Sequence, residues 1–275
     1  MEYREIAPTP RLKPFVVAFW TLRGVSSGAS VDLVLPDGNA ELVIHRTGRF
    51  HEWHASGEIA EQPAALVAGV MDQAVAIAPA RRFETVGVRF TPQGLAPLCR
   101  CPLSALTSRL TPAGDALSPG LARVVADARQ ADSIEQSVRI LRRGLIRLFD
   151  RVAPAPSPVA AAVRLIEQTG GTVSMDRLIH QTGATARGLE RQFQAFVGLA
   201  PKRYARVVRF QRAVSALVSA PDTPGAELAL CHGYYDQAHF TSEFKAFTGW
   251  APKAFASRKL GELTRHFVAT RPVPR

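Results

Sequence analysis

The feature that most constrains this chain is an internal repeat in its C-terminal part. At an offset of 51 residues, five positions of a first copy match five of a second: Leu189, Phe193, Phe196, Gly198 and Pro201 against Phe240, Phe244, Phe247, Gly249 and Pro252. Upstream, Leu178 and Gly183 match Leu228 and Gly233 at an offset of 50, so the second copy has one extra residue between its helices. Each copy predicts a short apolar helix, a glycine turn and a second helix, which is the layout of a helix-turn-helix.

The residues at each turn support this assignment. Gly183 and Gly233 stand where the first helix of each copy must end in a left-handed residue, which glycine adopts without a Cβ clash. Thr185 and Asp236 can cap the following helix by accepting from its free amides. Two ordinary helical hairpins with solvated faces would share this pattern, and that alternative stays open at the level of one copy.

The polar face of each second helix provides the candidate DNA-binding residues. They are Arg187, Glu190, Arg191 and Gln194 in the first copy and Gln237, Ala238, His239, Thr241, Ser242 and Lys245 in the second. Arginine and glutamine can bond base edges in pairs, and a major groove accepts a helix. The connecting helix predicted over 201–218 spans roughly 27 Å, and successive major grooves on one face of DNA lie about 34 Å apart. The repeat therefore predicts that one chain contacts two neighbouring grooves of double-stranded DNA.

Charge is concentrated in the same part of the chain. The whole chain has 34 Lys/Arg against 23 Asp/Glu, a net charge of +11, and residues 157–275 hold 16 and 8 of these, a surplus of +8. Clustered positive charge attracts the phosphate backbone, although an acidic membrane surface would also attract it. No apolar run is long enough to span a membrane, three cysteines cannot form a disulfide framework, and the N-terminus lacks an apolar leader. These features predict a cytoplasmic protein.

A proline-rich run divides the chain into two predicted domains. Residues 153–158 (Ala-Pro-Ala-Pro-Ser-Pro) are typical of a short stiff linker. Residues 159–260 predict an all-helical domain, followed by a tail over 261–275. Residues 1–152 show β-like runs with turn signals such as 36–39 and, from about 121 to 151, helical periodicity. The predicted fold class is therefore α+β in two domains, with an N-terminal β-sandwich or barrel and trailing helices.

The segment Ser174–Ser257 resembles the DNA-binding domain of AraC/XylS-type transcription regulators. The most similar stretch contains Gly233-Tyr234-Tyr235-Asp236-Gln237, His239-Phe240, Phe244-Lys245 and Gly249. The resemblance implies a seven-helix domain with two helix-turn-helix units, transcription control that is often activation, contact with RNA polymerase, and in many members a homodimer.

The resemblance also implies which positions of this sequence contact DNA. Arg187, Glu190 and Arg191 fall where the family's first recognition helix touches bases, and Gln237, Ala238 and Ser242 fall at contact positions of the second. Because Ala238 is short and family members often have a basic residue in place of Ser242, we expect the second helix mainly to grip phosphates through Thr241 and Lys245.

The N-terminal half resembles the sensor domains of one AraC-type subgroup. The similar stretches are 14–20 (PFVVAFW) and 35–43 (LPDGNAELV). This resemblance implies a cupin-like β-barrel with trailing helices, and a barrel of that size can enclose one small molecule. We therefore expect an unidentified small-molecule effector there and predict no cofactor. The helices over 121–151 would supply a dimer contact or, alternatively, only cover the barrel.

Two clusters in the N-terminal half offer other chemistry. His45, His51 and His54, beside Glu52, could hold a metal ion, but the spacing lacks a cupin metal box, so surface histidines are the favoured interpretation and no metal site is predicted. The remaining enzyme hypothesis is a metal-dependent cupin enzyme fused to a DNA-binding domain. Since the chain has no P-loop and no Gly-x-Ser-x-Gly motif, we expect it not to be an enzyme.

The three cysteines carry weaker signals. Cys99-Arg100-Cys101 could form a thiol sensor because the arginine would favour a thiolate. A disulfide between residues two apart is strained, so incidental cysteines are favoured. Cys231, at the end of a helix that faces the core, is expected to be buried.

Overall fold

A computed structural model of the chain describes residues 1–26, 31–53, 57–152, 157–258, 261, 263–264 and 268. The N-terminal half combines two antiparallel sheets with helices, and the C-terminal half is helical, which confirms the predicted fold class. In the described ranges the two sheets remain separate and do not close into a continuous barrel. Residues 153–156 of the predicted linker, His54 and most of the predicted tail lie outside the described residues.

Ten strands make the two sheets of the N-terminal half. In chain order they are β1 Glu2–Ile6, β2 Val16–Val25, β3 Asp32–Val34, β4 Glu41–Thr47, β5 His51–Trp53, β6 Ile59–Glu61, β7 Ala65–Ala68, β8 Val75–Ala78, β9 Arg82–Phe90 and β10 Leu110–Pro112. One sheet has the order β1-β2-β9-β4-β7-β10 and the other β3-β8-β5-β6, with antiparallel pairing throughout. The β-like runs of the sequence at 31–35, 41–44, 65–70 and 86–90 correspond to β3, β4, β7 and β9.

The turn at Pro36–Asn39 links the two sheets and does not close a hairpin, because β3 pairs with β8 whereas β4 pairs with β7 and β9. Gly38 has a φ of +81°, which favours glycine, and a Cβ there would lie 2.7 Å from Cε2 of Tyr204 in the C-terminal half. The carbonyl of Pro36 accepts a hydrogen bond from Gln211. This turn is therefore part of the contact between the two halves.

Three helices cover the larger sheet: α1 Ala113–Ala116, α2 Pro119–Arg129 and α3 Ile134–Phe149. The predicted helical stretch 121–151 is thus two helices, since Ser133 caps α3 by accepting from the Gln136 amide at 3.1 Å. α2 packs on α3. α2 also contacts β4 of the larger sheet, and α3 contacts β9. Their apolar faces are buried there, among them Leu121, Leu141 and Leu145. Covering the sheet accounts for their amphipathic pattern.

Over residues 157–258 the C-terminal half has seven helices, the number that the resemblance implies. They are α4 Ser157–Gln168, α5 Met175–Thr182, α6 Ala186–Val197, α7 Pro201–Ser219, α8 Gly225–Cys231, α9 Gln237–Thr248 and α10 Pro252–Ala256. None of the helices in the described part of the chain is both long and apolar enough to cross a membrane. α7 has 19 residues, or roughly 28 Å at the rise of an α-helix, and separates α6 from α9.

The N-terminal half touches the C-terminal ends of both α6 and α9. Thr107 Oγ1 donates to the carbonyl of Gly198, directly after α6, at 2.6 Å. The amide of Ala74 donates to the carbonyl of Phe247, in the last turn of α9, at 2.7 Å. Arg203 at the start of α7 donates to Asp72 at 2.7 Å. The loops 70–74 and 103–108 therefore hold the ends of two helices that the repeat places in equivalent roles.

Candidate nucleic-acid interface and effector cavity

Each copy of the repeat folds into the predicted helix-turn-helix. α5 ends at Gly183, whose φ is +64° and whose amide donates to the Ile179 carbonyl at 3.0 Å. Thr185 caps α6 by accepting from the Gly188 amide at 3.2 Å. In the second copy Gly233 has a φ of +72° and follows His232, the C-cap residue of α8. The extra residue of this copy lies between Gly233 and Phe240.

The caps and core faces of the second copy are equivalent to those of the first. Asp236 caps α9 by accepting from the His239 amide at 2.7 Å. Leu189 and Phe193 of α6 are fully buried, as are Phe240 and Phe244 of α9. The apolar stripes that the offset of 51 identified therefore form the core, and the opposite faces of α6 and α9 are left for solvent.

On α6 all four predicted DNA-binding side chains are exposed: Arg187, Glu190, Arg191 and Gln194. They project from one helix face, with Leu189 and Phe193 on the other. Two guanidinium groups, a carboxylate and an amide on one face can donate to and accept from base edges. The structure brings these four residues together as one polar surface.

On α9 the predicted residues divide into two groups. Gln237, Ala238, Ser242 and Lys245 are exposed and Thr241 is half-buried. His239 is also half-buried, and its ring faces the protein: Nδ1 accepts from the Tyr235 amide at 3.3 Å, and Nε2 lies 3.6 Å from Glu243. The ring of His239 also meets that of Tyr234 edge-on, with centroids 5.5 Å apart. His239 thus fixes the turn before α9 as well as lying beside the exposed face.

A buried ion cluster fixes α9 to α7, and sequence reasoning missed it. The Glu243 carboxylate, 7% exposed, accepts from Arg206 Nε at 2.6 Å and from Arg209 at 3.0 Å. The Arg209 guanidinium also lies over the Tyr234 ring, 4.7 Å from its centroid. The available signal was a glutamate inside the apolar stripe at 240, 244 and 247, opposite two arginines spaced i, i+3 on α7.

Two exposed apolar side chains of the second unit were also missed. Tyr235 in the turn before α9 is 92% exposed, and Leu230 on α8 is 81% exposed. A tyrosine hydroxyl beside a recognition helix can donate to a phosphate. The expectation that Cys231 is buried was wrong, because α8 turns Leu228 and Ala229 to the core and leaves Cys231 exposed.

The family comparison agrees with this geometry. Residues 178–258 match the model of a family described as a helix-turn-helix domain, which is of the AraC type. The C-terminal half is an AraC-type DNA-binding domain. The match begins in α5 and ends just after α10, so it contains both helix-turn-helix units and α7. A DNA-binding domain of this type supports a role of the chain in transcription regulation.

Other comparisons cover the rest of the chain. Residues 4–112 match a family described as a domain of unknown function (DUF6597), and no curated protein matches the chain. ToxT from Vibrio cholerae is 10% identical, with a TM-score of 0.45 over 86% of this chain and 97% of its own. A ToxT structure with bound unsaturated fatty acid gives 10% identity and 0.42 over 88% and 94%. The AraC-like activator CuxR gives 13% and 0.22 over 77% and 85%.

The N-terminal half of the chain has a partly open cavity of about 90 Å³ between its two sheets. Its wall is mostly apolar and includes Trp20, Leu22, Phe50 and Ile77. β4 contributes Glu41, Val43 and His45 to this wall, whereas the alternate residues Leu42 and Ile44 pack in the core cluster that includes the covering helices. Both faces of β4 are therefore covered.

His45 lies in the cavity wall and is 4% exposed, so the expectation of a surface histidine was wrong for this residue. Its Nδ1 lies 3.1 Å from Thr85 Oγ1 and its Nε2 3.0 Å from Gln62 Oε1. Burial lowers the pKa of His45 to about 4, so the ring is neutral at physiological pH. With both nitrogens engaged, His45 is not placed to bind a metal ion, and the described residues include no group of three His, Cys, Asp or Glu that could hold one.

The cysteine pair is also less reactive than a thiol sensor requires. Cys99 and Cys101 are free and half-buried, and burial with the neighbouring Cys101 raises the pKa of Cys99 to about 12. A protonated thiol is a poor nucleophile. This arrangement favours the interpretation of Cys99 and Cys101 as packing residues.

Proposed function

We propose that this regulator binds specific DNA sites by placing α6 and α9 in two consecutive major grooves, and that a small-molecule effector in the N-terminal half controls it, usually towards activation. The observation that carries this proposal is the pair of capped helices with exposed polar faces, α6 and α9, joined by one 19-residue helix. A connector of roughly 28 Å is close to the separation of neighbouring grooves.

The two helices have different tasks in this proposal. α6 contacts bases through Arg187, Glu190 and Arg191, with Gln194 beside them, because arginine can bond guanine with two hydrogen bonds. α9 contacts DNA with Gln237, Ala238 and Ser242 and grips phosphates through Thr241 and Lys245. His239 supports the second group from the turn, where it accepts from the Tyr235 amide.

Contacts between the halves supply a route from effector to DNA. Cavity-lining Gly69 and Met71 lie beside and within the loop 70–74, which bonds Arg203 and Phe247. Cavity-lining Leu35 and Asp37 flank the carbonyl that accepts from Gln211. A change in the cavity wall would therefore shift the positions that set the spacing of α6 and α9. An effector shifts a conformational equilibrium only if it interacts differently with the two conformations, and these links from the cavity to the DNA-binding domain allow such a difference.

We further propose domain limits of 1–152 and 159–260, joined by 153–158 and followed by 261–275. Double-stranded DNA is the macromolecular partner, RNA polymerase is a second one, and a homodimer would form through surfaces other than the buried faces of α2 and α3. Ion pairs and hydrogen bonds already fix the helical half internally, among them the Glu243 cluster. Residues 157–275 alone should therefore be soluble and bind DNA, and an insoluble or non-binding fragment beside an active full chain would contradict these limits.

Selection of binding sites from a random DNA library by the full chain tests the function itself. We expect enriched sites with two conserved blocks about one helical turn apart. Genome-wide mapping of bound sites would then indicate, through the neighbouring genes, which pathway and effector are involved. Selection without any enriched sequence, from protein that is folded by calorimetry, would contradict the proposal.

A further inference from the structure

The chain returns from the DNA-binding domain to the cavity of the N-terminal half. α10 ends at Ala256, and a few residues later Leu263, 1% exposed, joins a buried apolar cluster with Trp20, Leu22, Phe50, Ile77 and Phe83. Leu263 is one of the residues that line the cavity. One part of the cavity wall therefore comes from the segment that follows the last helix of the DNA-binding domain.

Specific hydrogen bonds hold this segment to the edge of the smaller sheet. The amide and the hydroxyl of Thr264 both donate to Asp32 Oδ1 at 3.1 Å, and the Leu33 amide donates to Thr264 Oγ1 at 2.7 Å. Thr264 is 1% exposed and Asp32 2%. A Cβ on Gly261 would lie 1.8 Å from Asp32 Oδ1, so only glycine permits this approach. Gly261 and Thr264 are therefore held against β3 by specific contacts.

The cavity is too small for an ordinary ligand while Leu263 occupies its place. Pockets for drug-sized molecules are about 300 Å³ or more, and an apolar cavity of about 150 Å³ holds one benzene. The present volume of about 90 Å³ is below both. Withdrawal of the Leu263 side chain would add its own volume and open the wall it forms, so Leu263 and a ligand would compete for one space.

The lining shows which ligand chemistry would suit that space. Trp20 lines the cavity, is 4% exposed, and its indole N–H has no hydrogen-bond partner among the described residues. A buried donor without a partner costs stability that a ligand acceptor would restore. The carboxylates of Asp37 and Glu41 also line the cavity, and they share Arg89, at 3.9 and 2.7 Å, with Glu5 at 2.9 Å. This group has a net negative charge and disfavours an anionic ligand. Because His45 is neutral and the rest of the wall is mostly apolar, the lining favours an uncharged ligand.

We propose that Leu263 is a tethered plug in the effector site, and that the effector is a compact, uncharged, mainly apolar molecule with one hydrogen-bond acceptor for Trp20 that displaces this plug. This inference rests on the proposed function for its regulatory meaning, because the displaced segment is continuous with α10. Displacement removes one of the ties between the two halves and leaves those at Gly198 and Phe247 in place.

Titration followed by NMR of the tryptophan indole groups tests the plug in the full chain. The chain has three tryptophans, and the Trp20 indole resonance is assigned by its loss in Trp20→Phe. The probes are acetophenone, ethylbenzene, benzoate and benzylamine, which are similar in size and differ in acceptor and charge. We expect acetophenone to shift the Trp20 resonance and to bind more tightly than the other three.

Three variants separate the plug from the rest of the cavity. Leu263→Ala should tighten acetophenone binding about tenfold or more, since burial of one leucine side chain must otherwise be reversed. Thr264→Val keeps the apolar wall, removes the hydroxyl from Asp32 and Leu33, and should tighten binding by a smaller factor. Leu230→Ala, the same change at a site 81% exposed on α8, should leave the affinity unchanged.

Defined outcomes overturn the inference. One such outcome is equal acetophenone affinity in wild type, Leu263→Ala and Thr264→Val. Another is tighter binding of benzoate or benzylamine than of acetophenone. A resonance shift confined to Trp53 or Trp250, or no binding at all, would also overturn it. If Leu263→Ala fails to fold, Thr264→Val decides. DNA binding measured on the same samples keeps the two proposals apart, because a chain that binds acetophenone as expected and binds no DNA refutes the proposed function alone.

Discussion

The two helix-turn-helix units share a sequence pattern and differ in what holds them in place. α6 packs against the N-terminal half, where it contacts the short 3₁₀ turns at 96–98 and 103–105. Thr107 also donates a hydrogen bond to the carbonyl of Gly198, directly after α6. α9 is held mainly from within its own domain, by the Glu243 cluster with Arg206 and Arg209. α9 also bonds the N-terminal half, since the Ala74 amide donates to the Phe247 carbonyl. A repeated fold can therefore present one helix that is held mainly from the N-terminal half and another that is anchored on both sides.

The exposed faces of α6 and α9 also differ in their side chains. α6 presents Arg187 and Arg191, which can bond base edges, whereas α9 presents the small side chains of Ala238 and Ser242 beside Lys245. The helix that we expect to read sequence is thus the one held mainly from the N-terminal half.

The largest expected effect is on the internal anchor of α9. Glu243→Ala leaves two partly buried arginines without their carboxylate, and removal of one partner of a buried pair costs about 3–5 kcal/mol. The exposed Glu190→Ala on α6 is the matched control and should change the free energy of unfolding by about 0.5 kcal/mol or less. Urea unfolding of both variants measures this, and similar losses for the two would contradict the difference in anchoring.

A smaller effect is expected from the face of α6. Arg191→Ala should cost about 1–3 kcal/mol of binding to the selected site and relax the preference at one base pair. Binding to a library of single-base variants measures both quantities. If base preference stayed as in the wild type while affinity fell, Arg191 would be a phosphate contact and α6 would not be the reading helix.

The face of α9 should respond in a different way. Lys245→Ala should weaken binding to all sequences alike and lower the slope of log K against log salt by about one unit, because one phosphate contact releases about one counterion. Titrations at several salt concentrations on specific and unrelated DNA give this slope. A change in base preference in this variant would reverse the proposed division between the helices.

The smallest effects concern the third residue after each cap. Gly188→Ala gains about 1 kcal/mol of helix propensity, but its Cβ would lie 2.9 Å from the Thr185 cap oxygen, and a lost cap costs about as much. We expect a net change within about 0.5 kcal/mol. At the equivalent place His239→Ala should lose about 1 kcal/mol, because Nδ1 no longer accepts from Tyr235. Thermal unfolding compares the pair, and a larger loss at Gly188 would contradict the expectation.

Sequence predicted the helical half far better than the sensor half, for physical reasons. Caps at Thr185 and Asp236 and glycine ends at Gly183 and Gly233 are local signals, and the predicted connecting helix 201–218 is one residue shorter than α7. The pairing of β3 with β8 joins residues far apart in sequence, and no local signal distinguishes it from a hairpin with β4.

The other differences between the sequence predictions and the structure concern residues that are buried by long-range packing. His45 was expected at the surface because a strand beside a turn usually has one solvated face, and here the covering helices and the second sheet bury both. Leu263 lay in a segment assigned as a tail, and only the three-dimensional structure shows that it fills a cavity more than 200 residues away in sequence from Leu22 and Trp20. Long-range packing of this kind has no periodic signature.

The spacing of the two DNA contacts tests the central claim most directly. In the selected site, insertion of five base pairs, about half a helical turn, between the two conserved blocks turns one block to the opposite face of the DNA. Because α7 fixes the separation of α6 and α9, affinity should fall about tenfold or more, while substitution of the intervening base pairs at constant length should have little effect. Affinity that is unchanged by the insertion would show that the two helices do not occupy consecutive grooves.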